Sequence, residues 1–196
     1  MTRQHILDSA LALMARRGFS ATTMRELAAA CGCNVAILYR HFASKEAILE
    51  AIVTERRHRV FDRPAPVAVG ANTVETLTAL FTALLDRDIE YEYIYRVFLG
   101  EGMRSNPAVV ALRDELWHDT ERAYTRWLRE LFPSLRRRRD VGAIARTLRT
   151  LVQGAYGELV MAQGERPKAA RARAREMARV LAPVLDAHAD PGVAQR

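Results

Sequence analysis

An all-α fold is predicted, on three observations. Glycine and proline number 10 and 7 in 196 residues, so long stretches carry no breaker. Apolar residues make up 49% of the chain and recur at three- and four-residue spacing, the period of a helix with one buried face. These stretches begin at polar caps or proline and end at glycine or proline, which is helix punctuation. Two parts are expected. Residues 1–61 read as a small domain of three helices, supported by a fourth helix. Residues 62–196 read as a larger helical domain, with about nine helices in the whole chain.

The first helix is expected over Arg3–Arg17, where Ile6, Leu7, Ala10, Leu11 and Met14 form one apolar stripe. Arg16 and Arg17 suit its negative end, and Gly18 can take the positive φ that stops a helix. Phe19 should fold back onto the small core. Thr23 and Glu26 have the spacing of a capping box, which starts a second helix that Gly32 ends. Asn34 caps a third, short helix to about Phe42, and Ser44 caps a fourth from Lys45 to about Arg59. Pro64, Pro66 and Gly70 mark residues 62–72 as a connecting loop. Five further helices follow: 73–87, 88–104 with a bend before it, 107 to about 133, 140–163, and 167 to about 187. Pro107 suits a first helical turn, and Pro183 should kink or shorten the last helix. The tail beyond Asp190 should fray.

Residues 23–42 form the most informative stretch. A capped helix, a glycine turn and a second short helix in that order make a helix-turn-helix, a device for placing a helix in the DNA major groove, so residues 1–61 are expected to be a DNA-binding domain. On a wheel of roughly 100° per residue, Leu38 and Phe42 face the core. Ala36, Ile37 and Arg40 fall on the opposite side, and Val35 lies at the end that enters the groove first. Small apolar side chains can meet thymine methyl groups, and Arg40 can reach guanine or a phosphate. Tyr39 and His41 flank this face as phosphate donors. Lys45, beside the free amides of the fourth helix, offers a phosphate site, and Arg25 in the second helix can reach the groove. Each of these residues also has a plainer reading, as a surface aromatic or a solvated charge.

Charge agrees with an acidic partner without requiring one. The net charge is +7 and the pI about 10.0. Residues 1–61 hold 9 Lys/Arg against 5 Asp/Glu, and the remainder 21 against 18. Lys45 and Lys168 are the only lysines, so the arginine bias is equally what GC-rich coding would produce. Cys31 and Cys33 cannot build a disulfide framework, and two thiols do not complete a zinc site. Both suit small buried residues, although a redox role for the pair stays open. No apolar run reaches the roughly 18–20 residues of a membrane span, and no signal peptide is evident. A soluble, cytoplasmic chain with no membrane partner is expected.

The later helices carry two features. Tyr91, Tyr95 and Phe98 share a face of one helix, and Trp117 and Tyr124 share a face of the next, with Trp127 nearby. Together with Tyr156 they either form core or line a cavity between helices. The next-to-last helix holds Gly142, Ala143, Ala145, Gly154, Ala155 and Gly157, which permit close helix approach. The last holds Met177, Val180, Leu181, Val184 and Leu185 in one stripe. Arg136–Arg139 form a basic run expected to be a solvated connection.

The segment from Ile6 to Leu49 resembles the N-terminal domain of the TetR/AcrR family of transcriptional regulators. The resemblance rests on Ala15-Arg16-Arg17-Gly18-Phe19, Thr23-Met24-Arg25-Glu26-Leu27-Ala28, Gly32, Leu38-Tyr39-Arg40-His41-Phe42 and Ser44-Lys45-Glu46. The chain departs from the family pattern at Cys33, usually valine, and at Asn34, usually serine or threonine. Val35-Ala36-Ile37 also lacks the polar residues many relatives place there. The resemblance implies that Arg25, Ala36, Ile37, Tyr39, Arg40, His41 and Lys45 stand at DNA-contacting positions. It also implies a small-molecule effector, of unknown class, in the C-terminal domain, for which Tyr91, Tyr95, Phe98, Trp117, Tyr124 and Tyr156 are the wall candidates. Finally, it implies a homodimer through the last two helices, which would present two reading heads to a palindromic operator. No G-x-S-x-G, metal-ligand cluster, phosphate-binding glycine loop or paired-carboxylate pattern supports an enzyme. A repressor with no cofactor is therefore expected.

Overall fold

The computed structural model describes residues 2–61, 67–99, 106–161 and 166–186, without the side chains of 56–61, 99, 161, 166 and 167. Among the described residues all regular structure is helical: α1 Arg3–Arg17, α2 Met24–Ala30, α3 Val35–His41, α4 Lys45–Phe61, α5 Thr73–Glu90, α6 Glu92–Leu99, α7 Pro107–Leu131, α8 Val141–Met161 and α9 Arg166–Asp186, with a 3-10 turn at Pro133–Leu135. The expected bend between the fifth and sixth helices falls at Tyr91, three residues later than the spacing predicts. Pro64 and Pro66, residues 100–104, Gln163 and the tail after Asp190 lie outside the described residues. No described helix is long and apolar enough to cross a membrane.

The chain divides into two compact units: residues 1–62 with 91–118, and residues 63–90 with 119–196. The sequence-based division at 61/62 lies beside the first of these cuts. The packing also gathers α6 and the first half of α7 with the N-terminal helices.

In the first unit the core holds Ile6, Leu7, Ala10, Leu11 and Met14 from α1, Phe19, Leu27, Leu38, Phe42, and Ile48, Leu49 and Ile52 from α4. Ile94, Val97, Phe98 and Val109 complete it. A seven-residue helix such as α3 does not persist alone in water. Burial of Leu38, worth about 1.5–3 kcal/mol, and of Phe42 at its end ties it down.

In the second unit α5 runs along α9, and α8 packs on both. Close approach of α9 comes from Ala170, Ala174, Ala178 and Ala182, four residues apart and all buried, which form one shallow ridge. The apolar stripe expected on α9 is therefore divided. Met177 and Leu185 are buried, whereas Val180 and Val184 are 68% and 50% exposed. The helix continues through Pro183 to Asp186. Asp88, 1% exposed, lies among these helices and takes two hydrogen bonds from Arg87, Nε–H at 3.1 Å and Nη2–H at 2.8 Å. Arg87 also donates to the Tyr124 hydroxyl at 2.9 Å.

Candidate nucleic-acid interface

The reading head is assembled from caps. Thr23 Oγ1 accepts from the Glu26 amide at 3.3 Å, and Glu26 Oε2 accepts from the Thr23 amide and hydroxyl at 2.9 Å each. These bonds, the one from the Thr23 backbone foremost, hold the Glu26 carboxyl below its ordinary range, and Arg17, 2.7 Å away, adds to the effect. At the other end of α2, Gly32 has φ +67°. Its amide donates to Ala29 O at 3.0 Å and the Cys33 amide to Ala28 O at 2.9 Å. This paired bonding is a Schellman stop, which needs a positive φ at the glycine position. It gives both cysteines structural work. Cys31 is buried beneath the turn, and half-buried Cys33 packs on the core just after it. Burial foremost, and then Cys33, push the Cys31 thiol above its ordinary value, which makes it a poor nucleophile at neutral pH.

Asn34 Oδ1 accepts from the Ala36 amide at 2.9 Å and opens α3. The helix then turns Leu38 inward and leaves Ala36, Ile37, Tyr39, Arg40 and His41 exposed, Ile37 by 38% and Tyr39 by 54%. Val35 is half-buried against the core. Arg25 on α2 is exposed too. Among the described residues no hydrogen bond or ion pair holds the side chains of Arg25, Tyr39, Arg40 or His41. Their donors are available to an incoming acceptor. Seven of the eight DNA-contact candidates thus lie on α2 and α3, with two basic side chains, a phenol and an imidazole around a small apolar patch.

The eighth, Lys45, is placed differently. Its ammonium donates to Phe19 O at 2.9 Å, Thr22 O at 3.0 Å and Ser20 O at 3.3 Å, and lies 4.6 Å from the Phe19 ring centroid. Sequence spacing did not reveal this, because the acceptors are backbone atoms 23–26 residues away.

The six aromatic candidates do not gather in one place. Tyr91, Tyr95, Phe98 and Trp117 belong to the first unit, where Phe98 is core and Arg113 stacks on Trp117 at 4.5 Å. Tyr124 and Tyr156 are buried in the second unit. A cleft of about 250 Å³ in the first unit is lined by Glu46, Leu49, Glu50, Ala108, Val109, Ala111, Leu112 and Glu115, and by none of the six. The residue missed in the sequence is Asp88. Its signal was an acid four residues after Leu84, on the buried stripe of α5. The basic run holds Arg138 against Asp140 and Arg136 against the Arg129 carbonyl.

Residues 6–52 match the model of the tetR family of bacterial regulatory proteins. The transcriptional regulator UidR of Escherichia coli K12 is 29% identical over 111 residues, 57% of this chain and 56% of that protein. The transcriptional repressor KstR2 of Rhodococcus jostii is 35% identical over 117 residues, 59% of this chain and 50% of that protein. The match thus spans about half the length of these relatives. Among solved structures, Salmonella enterica GusR is 25% identical with a TM-score of 0.71, over 93% of this chain and 94% of GusR.

Proposed function

We propose, for a chain that belongs to the tetR family of bacterial regulatory proteins, the role of a sequence-specific DNA-binding transcriptional regulator. The observation that carries this reading is α3: a capped, core-anchored helix whose outward face holds Ala36, Ile37, Tyr39, Arg40 and His41 with their donors uncommitted. In the groove, Ala36 and Ile37, with Val35 ahead of them, meet thymine methyl groups, and Arg40 reads guanine or takes a phosphate. Tyr39, His41 and Arg25 hold phosphates, which set register without specifying sequence.

The working form is a homodimer and a repressor. Support comes from the outer face of α8 and α9. Ala143, Thr147, Leu151 and Gly154 stand exposed along one side of α8, and among the described residues a Cβ added at Gly154 would meet nothing within 4 Å beyond the backbone of its own helix. Val180 and Val184 are exposed on α9, which Arg173 ties to Glu158 of α8 at 3.1 Å. Exposed apolar side chains beside small residues suit a helix pair meeting its own copy. A small-molecule effector, bound among the helices of the second unit near Tyr124 and Tyr156, would favour a conformer whose two heads no longer match the half-sites. It acts only through its affinity difference between conformers.

The test is a mobility-shift assay of the full chain on DNA from the region upstream of its own gene, across a salt series. The expected result is a specific complex on a palindromic site, weakened by Tyr39→Phe and Arg40→Ala. Binding that never exceeds competitor DNA at any salt rejects the reading.

A further inference from the structure

We propose that Lys45 is a positioning residue of the reading head: its ammonium binds the loop between α1 and α2 to the first turn of α4, and it makes no contact with DNA itself. The proposal rests on the DNA-binding reading of α3, but its geometry stands apart from it.

An ammonium has three N–H donors and no more. In Lys45 all three have carbonyl acceptors, Phe19 O, Thr22 O and Ser20 O, at 2.9, 3.0 and 3.3 Å. A phosphate oxygen would have to displace one of them. The Phe19 ring, buried in the core, covers the cation at 4.6 Å, a further attraction that a phosphate contact would forfeit. The clamp also serves the loop, because Phe19 O and Thr22 O are part-buried and the lysine adds a charged donor to each, beside the Thr22 amide that Phe19 O already accepts. The rest of this loop is closed by Thr22, which is 1% exposed, donates its hydroxyl to Gly18 O at 2.8 Å and its amide to Phe19 O at 3.2 Å. Gly18, at φ +85°, starts the loop.

Thr23, the cap of α2, is the next residue. The clamp therefore sits one residue from the start of α2, and α2 runs through the Gly32 stop directly into α3. Fixing Phe19–Thr22 to α4 sets where the reading helix points. Charge-assisted bonds of this kind are roughly twice as strong as neutral ones.

The chain has two lysines, and Lys168 is exposed. Limited reductive methylation of the full chain without DNA, mapped by mass spectrometry, reads the clamp directly. Lys168 should react about tenfold faster than Lys45 or more. Equal rates in the free protein, with Lys45 protected only when DNA is added, would overturn the proposal.

A second arm uses Lys45→Arg and Lys45→Met in the salt-series binding assay. A guanidinium meets phosphate at least as well as an ammonium does, but its planar fork cannot reproduce three converging bonds. Both variants should bind DNA more weakly, with the slope of log K against log salt unchanged. Wild-type affinity in Lys45→Arg, or a slope smaller by about 0.9 per protomer in Lys45→Met, would assign Lys45 to a phosphate and end the proposal. If the wild-type chain binds no specific DNA, the regulator reading fails and the methylation rates still decide the clamp.

Discussion

At the scale of single residues, the caps carry the most testable chemistry. The Glu26 carboxyl is held below its ordinary value of 4.5 by Thr23 first and by Arg17 after it. A carboxylate with a depressed folded pKa adds stability that is present above its unfolded pKa and lost as pH falls through the folded one. Amide protection factors in α2, corrected for the slower intrinsic exchange in acid, should therefore fall as the solution is acidified below about pH 4.5. Thr23→Ala should cost about 1 kcal/mol and flatten that acid dependence. Tyr124 gives the alkaline counterpart. Burial foremost pushes its phenol up to about 12, with Arg87 opposing. Its contribution is present below the ordinary phenol value and is lost as pH rises through about 12. Absorbance titration should show a late-titrating tyrosine that Tyr124→Phe removes. The capping box and the Gly32 stop were legible in the sequence because both depend on neighbours within six residues. The Lys45 clamp was not, since a carbonyl acceptor leaves no residue-type signature.

At the scale of the element, α3 is a helix whose one capping amide, Asn34, is already spent on Ala36. Its apolar reading patch makes a specific demand on the operator. Replacing thymine by deoxyuridine in the half-site, which removes only the methyl group, should weaken binding about 3–10-fold at the positions facing Ala36 and Ile37. Binding unchanged by every such replacement would move specificity to Arg40 and to DNA shape. The starts of α1 to α4 were readable because each opens at a short-range side-chain cap, Thr2, Thr23, Asn34 and Ser44 in turn. The buried ridge of α9 was not legible for a physical reason: Val180 and Val184 share the helical period of Met177 and Leu185, but the ridge is made by alanines, whose weak hydrophobicity hides them from a pattern of large apolar residues.

At the scale of the whole molecule, the proposed dimer is tested at the exposed face of α8 and α9. Leu151→Glu with Val180→Glu should convert a dimer into a monomer in sedimentation analysis while helicity is kept. A chain that stays dimeric would place the interface elsewhere. The helical class and the reading head were legible because local periodicity decides them. The scatter of the six aromatics was not, because which side of a helix meets which neighbour depends on contacts between segments far apart in the chain.

The first unit is not one continuous stretch of chain. Ile94, Val97, Phe98 and Val109, each at most 8% exposed, complete the core that α1 begins. A ribosome making this protein therefore cannot finish the reading head when residue 62 emerges. The head waits for residues 91–118, and α5, which belongs to the second unit, is synthesised in between. A fragment cut at residue 62 should accordingly be a loosely packed peptide with broad amide resonances, whereas one that includes residues 91–118 should regain a cooperative melt.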